Sequence, residues 1–380
     1  MRLWNRIDQY FKHNGLRWIE RIAARQPMEP EDIVWAEVKN ILIVRPHDQL
    51  GDFLLSSPAW HAVGRAFPEA HIGLVARSYA ADAAKNHTYI DELLIFYENG
   101  PQWTIRGIIQ FVRALKKRWD MAIVLASESH SLTSDLIARF SGARYVVGSE
   151  RFPFGGCSRN FFYNICVPDG GSHLHQVKRN AEIVEYLGIP VPDLSERINI
   201  SEQEKQNTFK RYKEMYTQDP VVGIHIGANK KENRWPVEKL TETAAKVYNT
   251  YGTMPAVFWG PKEYDMAREF ENTVSVPVQL IPPSSLRQQA VHFSLCTAVV
   301  CNDTGIMHLC AAAGTPLAAV FGPTDPALWK PPGEKFRAVR SADKKTASVE
   351  TDAVFAALKE LLDTYGQHTD KSNEYRITES

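Results

Sequence analysis

The sequence predicts an α/β protein built from two Rossmann-like, doubly wound domains. Its 380 residues, 44% of them hydrophobic, are sufficient for two separate cores. Apolar strand-like runs alternate with segments of helical period, which is the pattern of βαβ units in a parallel sheet. This alternation restarts at about Ser201. The chain is therefore expected to hold two such sheets in succession.

Four regions follow from this pattern. Residues 1–38 are predicted to form a basic amphipathic helix and a linker, and residues 39–200 the first Rossmann-like domain. Residues 201–365 are predicted to form the second, and residues 366–380 a disordered tail, because that tail is polar and has no hydrophobic period.

In the first domain the earliest core strand is "NILIVR", whose near-continuous apolar run suits a strand buried on both faces. Further strands are predicted at "HIGLVA", "DELLIFY" and "DMAIVLAS". Helical period predicts helices at "TIRGIIQFVRALKKR" and "HSLTSDLIARF".

In the second domain "SEQEKQNTFKRYKEMY" predicts one polar helix, followed by a strand in "PVVGIHIG" and a helix after Pro236. Strands are then predicted in "PAVFWG", "AVVCND" and "PLAAVFG", with helices in "SSLRQQAVHFSL" and "GIMHLCAAAG". Ligands of doubly wound sheets bind beyond the carboxyl ends of the strands, so the residues just after each run are the informative ones.

Charge and cysteine content limit the function classes. Lys+Arg and Asp+Glu are each 44, so the formal net charge is zero, which argues against a nucleic-acid partner. The five cysteines are odd in number and lack C-x-x-C spacing, which favours reduced thiols and a cytoplasmic protein. No apolar run reaches the roughly 18 residues of a transmembrane helix.

Residues 1–26 have a basic amphipathic pattern. Six Lys/Arg against two Asp/Glu give 6 − 2 = +4, and one predicted helical face is apolar: Trp4, Ile7, Phe11, Trp18 and Ile22. Such a helix either contacts the inner-membrane surface, which would make the protein peripheral on the cytoplasmic face, or packs on the protein itself. Gly15 interrupts the apolar face, and both possibilities stay open.

The first candidate site follows "ILIVR", where Gly51 and Asp52 open a predicted helix after a loop that contains His47 and Asp48. A carboxylate here would lie at a ligand-binding strand end, although Asp52 also fits helix capping.

The second candidate site lies in the other domain. Loop cations Lys230, Lys231 and Arg234 suit a phosphate or a merely solvated loop. In "NDTGIMHLCAAAGTPLAAVFGPTDP", Thr304 and Gly305 are predicted to begin a helix whose free N–H groups suit a diphosphate. The other candidates are an acid that is either a ligand contact or a helix cap, a histidine one turn on, and a second strand end: Asp303, His308, Gly322, Pro323 and Thr324.

Several enzyme classes lack their signatures. G-x-G-x-x-G, G-x-x-x-x-G-K-[ST], G-x-S-x-G and H-E-x-x-H are all absent, which disfavours dinucleotide oxidoreductases, P-loop NTPases, serine hydrolases and zincins. No D-x-D occurs, and His173 and His175 have no acid cluster nearby, so no metal site is predicted.

Taken together, these blocks resemble glycosyltransferase family 9, the ADP-heptose:lipopolysaccharide heptosyltransferases, from about Asn40 to Leu362. The blocks are "LGDFLLSSPAWHAVGRAFPEAHIGLVA", "SGARYVVGSE", "HLHQVKRNAEIVEYLGI", "GANKKENRWP" and "CNDTGIMHLCAAAGTPLAAVFGPTDP". The resemblance implies a GT-B fold with two Rossmann-like domains facing across a cleft. It also implies inverting transfer, without metal or cofactor, from a nucleotide-diphosphate sugar such as ADP-heptose to a lipid-linked oligosaccharide.

The resemblance also assigns roles. It implies that Asp52 is the general base, that Thr304, Gly305 and His308 hold the donor diphosphate beside Asp303, and that Glu263 contacts the ribose. Asn233 stands where the family usually has lysine. Other functions compatible with the same fold are those of a protein O-heptosyltransferase, a nucleotide-sugar epimerase, and a catalytically silent nucleotide-sugar-binding scaffold.

Overall fold

The computed structural model describes residue 20 and residues 24–46, 49–97, 102–117, 119–125, 131–152, 157, 159–171 and 173–366. The predictions for His47, Asp48, most of residues 1–26 and residues 367–380 lie outside these residues. The chain divides into two compact units, residues 1–194 and 195–380. Residues 195–200 belong to the second unit, because the Ile198 N–H donates to the Ala312 carbonyl oxygen at 3.1 Å.

The first unit contains one parallel six-stranded sheet with the order β3-β2-β1-β4-β5-β6. Its strands are β1 Asn40–Arg45, β2 His71–Arg77, β3 Glu92–Phe96, β4 Met121–Val124, β5 Tyr145–Ser149 and β6 Ile165–Val167. Its helices are α1 Leu50–Leu54, α2 Ser57–Ala66, α3 Ala81–Ala84, α4 Ile105–Leu115, α5 Leu132–Phe140 and α6 Gln176–Glu185. Short 3-10 turns at Pro30–Asp32 and Trp35–Glu37 precede β1.

The core of this unit lies on its central strands. Ile41 to Val44 of β1 are almost fully buried, because helices cover both faces of a parallel sheet. On β2, Gly73 has a packing role: a Cβ at this position would lie 2.3 Å from the Trp119 ring. The runs "NILIVR", "HIGLVA" and "DMAIVLAS" therefore form central strands, and "DELLIFY" forms the edge strand β3.

The second unit also contains one parallel six-stranded sheet, ordered β12-β11-β10-β7-β8-β9. The strands are β7 Val222–His225, β8 Ala256–Phe258, β9 Gln279–Ile281, β10 Ala298–Asn302, β11 Leu317–Phe321 and β12 Phe336–Arg340. The helices are α7 Glu202–Arg211, α8 Lys213–Tyr216, α9 Val237–Tyr251, α10 Tyr264–Thr273, α11 Leu286–Leu295, α12 Gly305–Ala312, α13 Pro326–Trp329 and α14 Thr351–Tyr365. Turns of 3-10 helix occur at Lys231–Asn233 and Thr346–Ser348.

The two sheets have the same topology. Numbered within each unit, both follow the order 3-2-1-4-5-6, which is the Rossmann order. The order reverses between β1 and β4 in the first unit and between β7 and β10 in the second. The predicted doubly wound α/β fold is confirmed. Its ligand sites are expected at those two points, beyond the strand ends.

One prediction is wrong: a segment predicted as a single helix is divided into two. The polar segment after Ser201 forms α7 and α8 instead of one helix, because Tyr212 has φ −123° and ψ 39° and interrupts the helical backbone. Among the described residues, no helix is long and apolar enough to cross a membrane.

Candidate active site

The best-defined polar cluster lies in the second unit, where β7 and β10 end side by side. Asn302 is the last residue of β10 and is fully buried. Its side-chain amide donates to the carbonyl oxygens of Ile226 and Gly227, at 3.0 and 3.1 Å, and its Oδ1 accepts from the Trp235 N–H at 3.0 Å. Asn302 therefore fixes the loop after β7 against the end of β10.

Asp303 lies directly after this asparagine and is buried. The Asn233 amide donates to its carbonyl oxygen at 3.0 Å and to its Oδ2 at 3.2 Å. Burial raises the pKa of Asp303, while the Thr324 hydrogen bond and the charges of His308 and Lys230 oppose that rise. The capping role considered for Asp303 is wrong, because the N-cap of α12 is Thr304.

The N-terminus of α12 is open at the same edge. Thr304 has an extended backbone, with φ −158° and ψ 168°, and its side chain makes no capping hydrogen bond. The first N–H groups of an α-helix have no acceptor within the helix. Thr304 and Gly305 are partly exposed. This helix end can therefore bind an anion through backbone N–H groups and the helix dipole.

His308 lies one turn into α12 and is buried against an acid that the sequence analysis missed. Its Nδ1 is 2.9 Å from Oε1 of Glu196, whose side chain is fully buried. Burial raises the pKa of Glu196, and the charge of His308 and the hydrogen bond with it oppose that rise. The two residues are 112 positions apart, so no local pattern indicates the pair.

The loop after β7 carries the predicted cations. Lys230 and Lys231 are exposed, and Nε of Arg234 donates to the Ala228 carbonyl oxygen at 2.7 Å. The lysine that the family resemblance expects is Asn233, which is buried and bonds Asp303. Lys230 is the loop cation whose charge acts on the Asp303 carboxylate.

Glu263 lies beside this loop, and its side chain accepts a hydrogen bond within the turn that follows β8. Its Oε2 accepts from the Gly260 N–H at 2.6 Å. Gly227 gives its carboxylate room, because a Cβ at position 227 would lie 1.7 Å from Oε1 of Glu263. Burial lowers the pKa of the neighbouring His225, and the charge of Glu263 opposes that change.

The strand end "FGPTDP" reaches the same edge, as predicted from the sequence. β11 lies next to β10, and Thr324 hydrogen-bonds Asp303. Arg340 holds this loop through the carbonyl oxygens of Gly322 and Pro323, each at 2.8 Å. Arg340 is a further residue that the sequence analysis missed.

In the first unit Asp52 is the third residue of α1, and Gln49 is the N-cap, so the capping role considered for Asp52 is wrong. Its side chain is 19% exposed, and its Oδ1 lies 3.9 Å from Nη2 of Arg45. Arg45 also donates to the Asp52 carbonyl oxygen at 3.0 Å. Gly51 is buried beside it. Among the described residues, no three His, Cys, Asp or Glu side chains group as a metal site.

Two Rossmann-like units, each with a parallel sheet, are characteristic of the GT-B fold of glycosyltransferases. Comparisons with known proteins support this fold. The sequence model of glycosyltransferase family 9 (heptosyltransferase) matches residues 108–358, and the chain belongs to this family. It is therefore a glycosyltransferase, which confirms the resemblance seen in the sequence.

Curated relatives cover most of the chain. Lipopolysaccharide heptosyltransferase 2 of Escherichia coli is 24% identical over 320 residues, which is 79% of this chain and 87% of the relative. Lipooligosaccharide heptosyltransferase 2 of Haemophilus influenzae is 25% identical over 315 residues, 79% of this chain and 88% of the relative.

Solved structures share the fold. A family 9 glycosyltransferase from Veillonella parvula has a TM-score of 0.75 at 21% identity, covering 86% of this chain and 97% of that one. The ADP-heptose lipopolysaccharide heptosyltransferase II of E. coli has a TM-score of 0.68 at 21% identity, covering 86% and 99%. At this level of identity the likeness shows the fold alone.

Proposed function

We propose that this chain transfers a heptose from ADP-heptose to a lipid-linked acceptor of the lipopolysaccharide-core type, with inversion and without a metal or cofactor. The names of the curated relatives support the sugar and the acceptor class. A heptosyltransferase of E. coli with a TM-score of 0.70 was solved with ADP, which supports the nucleotide. The enzyme would act at the cytoplasmic face of the inner membrane.

The observation that carries the proposal is the open N-terminus of α12. Thr304 leaves the first turn uncapped, and Asp303, His308 and Thr324 lie around it. A diphosphate bound there would be contacted by helix N–H groups and the Thr304 hydroxyl. The leaving nucleoside diphosphate gains negative charge during transfer, so these donors would stabilise the transition state more than the ground state.

Asp52 is the proposed general base. In a single displacement an acceptor hydroxyl attacks the anomeric carbon, its proton passes to the Asp52 carboxylate, and the bond to the diphosphate oxygen breaks on the opposite face. The sugar is therefore inverted. Arg45 supports this role because it holds the Asp52 peptide oxygen and lies 3.9 Å from the carboxylate. Positioned general bases typically contribute about 10² to 10⁴-fold.

Because Asn233 stands in place of the family lysine, another residue must supply the positive charge near the diphosphate. A neutral amide cannot replace a lysine charge, and here that amide is bonded to Asp303. We assign the cationic role to Lys230, whose charge already acts on the Asp303 carboxylate. Glu263, fixed by the Gly260 N–H, is the proposed ribose contact.

The deciding experiment combines calorimetric titration with turnover. The protein is titrated with ADP and then incubated with ADP-heptose and a heptose-free lipopolysaccharide-core acceptor. We expect ADP binding and transfer of one heptose with inverted configuration, read by NMR of the product. Binding without transfer to this acceptor or to protein acceptors would instead support a nucleotide-sugar-binding scaffold. Transfer to a protein would indicate a protein O-heptosyltransferase, and epimerisation of the donor would indicate a nucleotide-sugar epimerase.

A further inference from the structure

Helix α4 exposes a continuous apolar face. Ile105, Ile108, Ile109 and Val112 are 79%, 45%, 43% and 46% exposed. Their spacing of three and four residues places them on one side of the helix. Over 11 residues, the helix is about 16 Å long, so this is an extended stripe. We call these four residues the α4 stripe.

The stripe remains although the helix is already packed on its other side. Leu115 is buried, and Phe111 contacts the rings of Phe96 and Trp103 with centroids 5.9 and 5.4 Å apart. Thr104 caps the helix by accepting from the Gly107 N–H at 3.0 Å. The helix is thus anchored and capped without the α4 stripe.

The charges on α4 and on the two residues after it have one sign. Residues 105–117 contain Arg106, Arg113, Lys116 and Lys117 and no Asp or Glu. Lys117 pairs with Glu92 at 2.6 Å, whereas Arg106, Arg113 and Lys116 are exposed. Lys116 also lies 5.9 Å from the centroid of the Phe140 ring, which is 55% exposed and extends the apolar surface.

This charge pattern decides between possible partners. A symmetric contact between two copies would bring the cations of both α4 helices together, and like charges repel. Residues 1–26 of this chain carry 6 − 2 = +4, so they are also not complementary. An exposed aliphatic face flanked by cations is the pattern of helices that lie in the interface of an anionic bilayer.

We propose that α4 docks this enzyme on anionic lipid bilayers, with the α4 stripe inserted and Arg106, Arg113 and Lys116 at the headgroups. The sheet topology connects this docking with transfer to a lipid-linked acceptor, and this step rests on the proposed function. α4 follows β3, so Ile105 lies near the carboxyl edge of the sheet, where β1 also ends before Asp52. β3 is two strands from β1, about 10 Å along the sheet. A lipid-linked acceptor would therefore be presented at the edge that holds the base.

The test is vesicle sedimentation with the full-length protein. Vesicles of phosphatidylglycerol and phosphatidylcholine are compared with phosphatidylcholine alone. The triple variant Ile108→Ser, Ile109→Ser, Val112→Ser is expected to bind anionic vesicles at least ~10-fold more weakly than wild type. Arg113→Gln is expected to weaken binding ~5-fold. The control Phe152→Ser, at an apolar residue that is 57% exposed elsewhere in this unit, should bind as wild type.

Each contrary outcome is distinct. Equal binding of the triple variant and wild type, or equal binding to neutral vesicles, overturns the proposal. So does a concentration-dependent dimer, seen by analytical ultracentrifugation without vesicles, that the triple variant loses. Sedimentation does not depend on turnover, so failure of the proposed function is read separately. Transfer to a delipidated, water-soluble acceptor should be unchanged in the triple variant, while transfer to acceptor embedded in anionic vesicles should fall.

Discussion

In each of the two sheets a different buried side chain joins the strand ends at the point where the strand order reverses. In the first unit Arg45, at the end of β1, donates to the Leu125 carbonyl oxygen just after β4, at 3.1 Å. In the second unit Asn302, at the end of β10, donates to Ile226 just after β7, at 3.0 Å. In each case one buried polar side chain joins the two strand ends between which the strand order reverses.

The difference lies in charge. Arg45 brings a guanidinium to the edge that holds Asp52. Asn302 is neutral, and the positive groups at its edge include the α12 N-terminus and Lys230. A guanidinium beside a carboxylate can hold that carboxylate in position, and an open helix end suits an edge that receives a diphosphate. The same fold can therefore supply two different chemical roles.

The largest effect is expected at the acid of the first edge. Asp52→Asn removes the proposed proton acceptor while keeping its size, so kcat should fall about 10² to 10⁴-fold. The Kd of ADP, measured by calorimetry, should not change. Asp82→Asn, at an acid of the same unit that pairs with Lys85, is the matched control and should keep its activity. A kcat for Asp52→Asn within about fivefold of wild type would remove Asp52 from the role.

The second effect concerns Asn302, the neutral side chain that joins the ends of β7 and β10. Asn302→Leu leaves the Ile226 and Gly227 carbonyl oxygens and the Trp235 N–H without their partner, which should lower the free energy of unfolding by about 3 kcal/mol. Urea denaturation measures this loss. Asn207→Leu, on the exposed surface of α7, should change stability by less than about 0.5 kcal/mol. Equal effects of the two substitutions would show that Asn302 is not needed to join the strands.

A smaller effect is expected from the acid behind His308. Glu196→Gln keeps a hydrogen-bond acceptor for Nδ1 but removes the negative charge, so His308 is held less firmly. The KM for the donor should rise about tenfold, with a smaller change in kcat. Glu204→Gln is the control, because Glu204 pairs with Arg287. Arg287 lowers the pKa of Glu204 to about 2. That control should lower stability near neutral pH without changing the donor KM. A rise in KM in both variants would point to general loss of structure.

The smallest effect is a pH dependence at the second edge. Burial raises the pKa of Asp303 above its ordinary 3.8. As pH rises through this raised pKa, the carboxylate becomes charged and repels the diphosphate, so ADP should bind about fivefold more weakly. The folded state also holds this proton more tightly than the unfolded state, so the contribution of Asp303 to stability falls over the same interval.

Calorimetry across pH with the Asp303→Asn variant separates this titration from that of ADP itself. The phosphate ionisation of ADP appears in both proteins, whereas the Asp303 contribution should be absent from the variant. Identical pH profiles would contradict the assignment.

The sequence predicted the parts of this molecule that depend on local pattern. Continuous apolar runs such as "NILIVR" and "AVVCND" indicated buried parallel strands, and Thr304 and Gly305 were predicted to begin a helix. Because parallel strands end at one edge, the meeting of Asp303 and Thr324 also followed from the sequence. The match to family 9 confirmed the resemblance that these blocks carried.

The remaining features depend on tertiary contacts between distant residues. Glu196 meets His308 across 112 positions, and Asn233 meets Asp303 across 70. Neither pairing has a period or motif. The break at Tyr212 also has no local signal, since the polar pattern after Ser201 is helical throughout. Asn302 has no local signal either, because its three partners lie between 67 and 76 positions away.

The contact between Gly227 and Glu263 has a consequence for sequence variation. No side chain fits at position 227 while the acid keeps its place, because even a Cβ would lie 1.7 Å from Oε1. The two positions should therefore covary: Gly227→Ala alone should displace the acid and weaken donor binding. The double variant Gly227→Ala, Glu263→Ser should fold as wild type and still bind donor weakly. Relatives that bind the ribose differently would be recognisable by a change at both positions together.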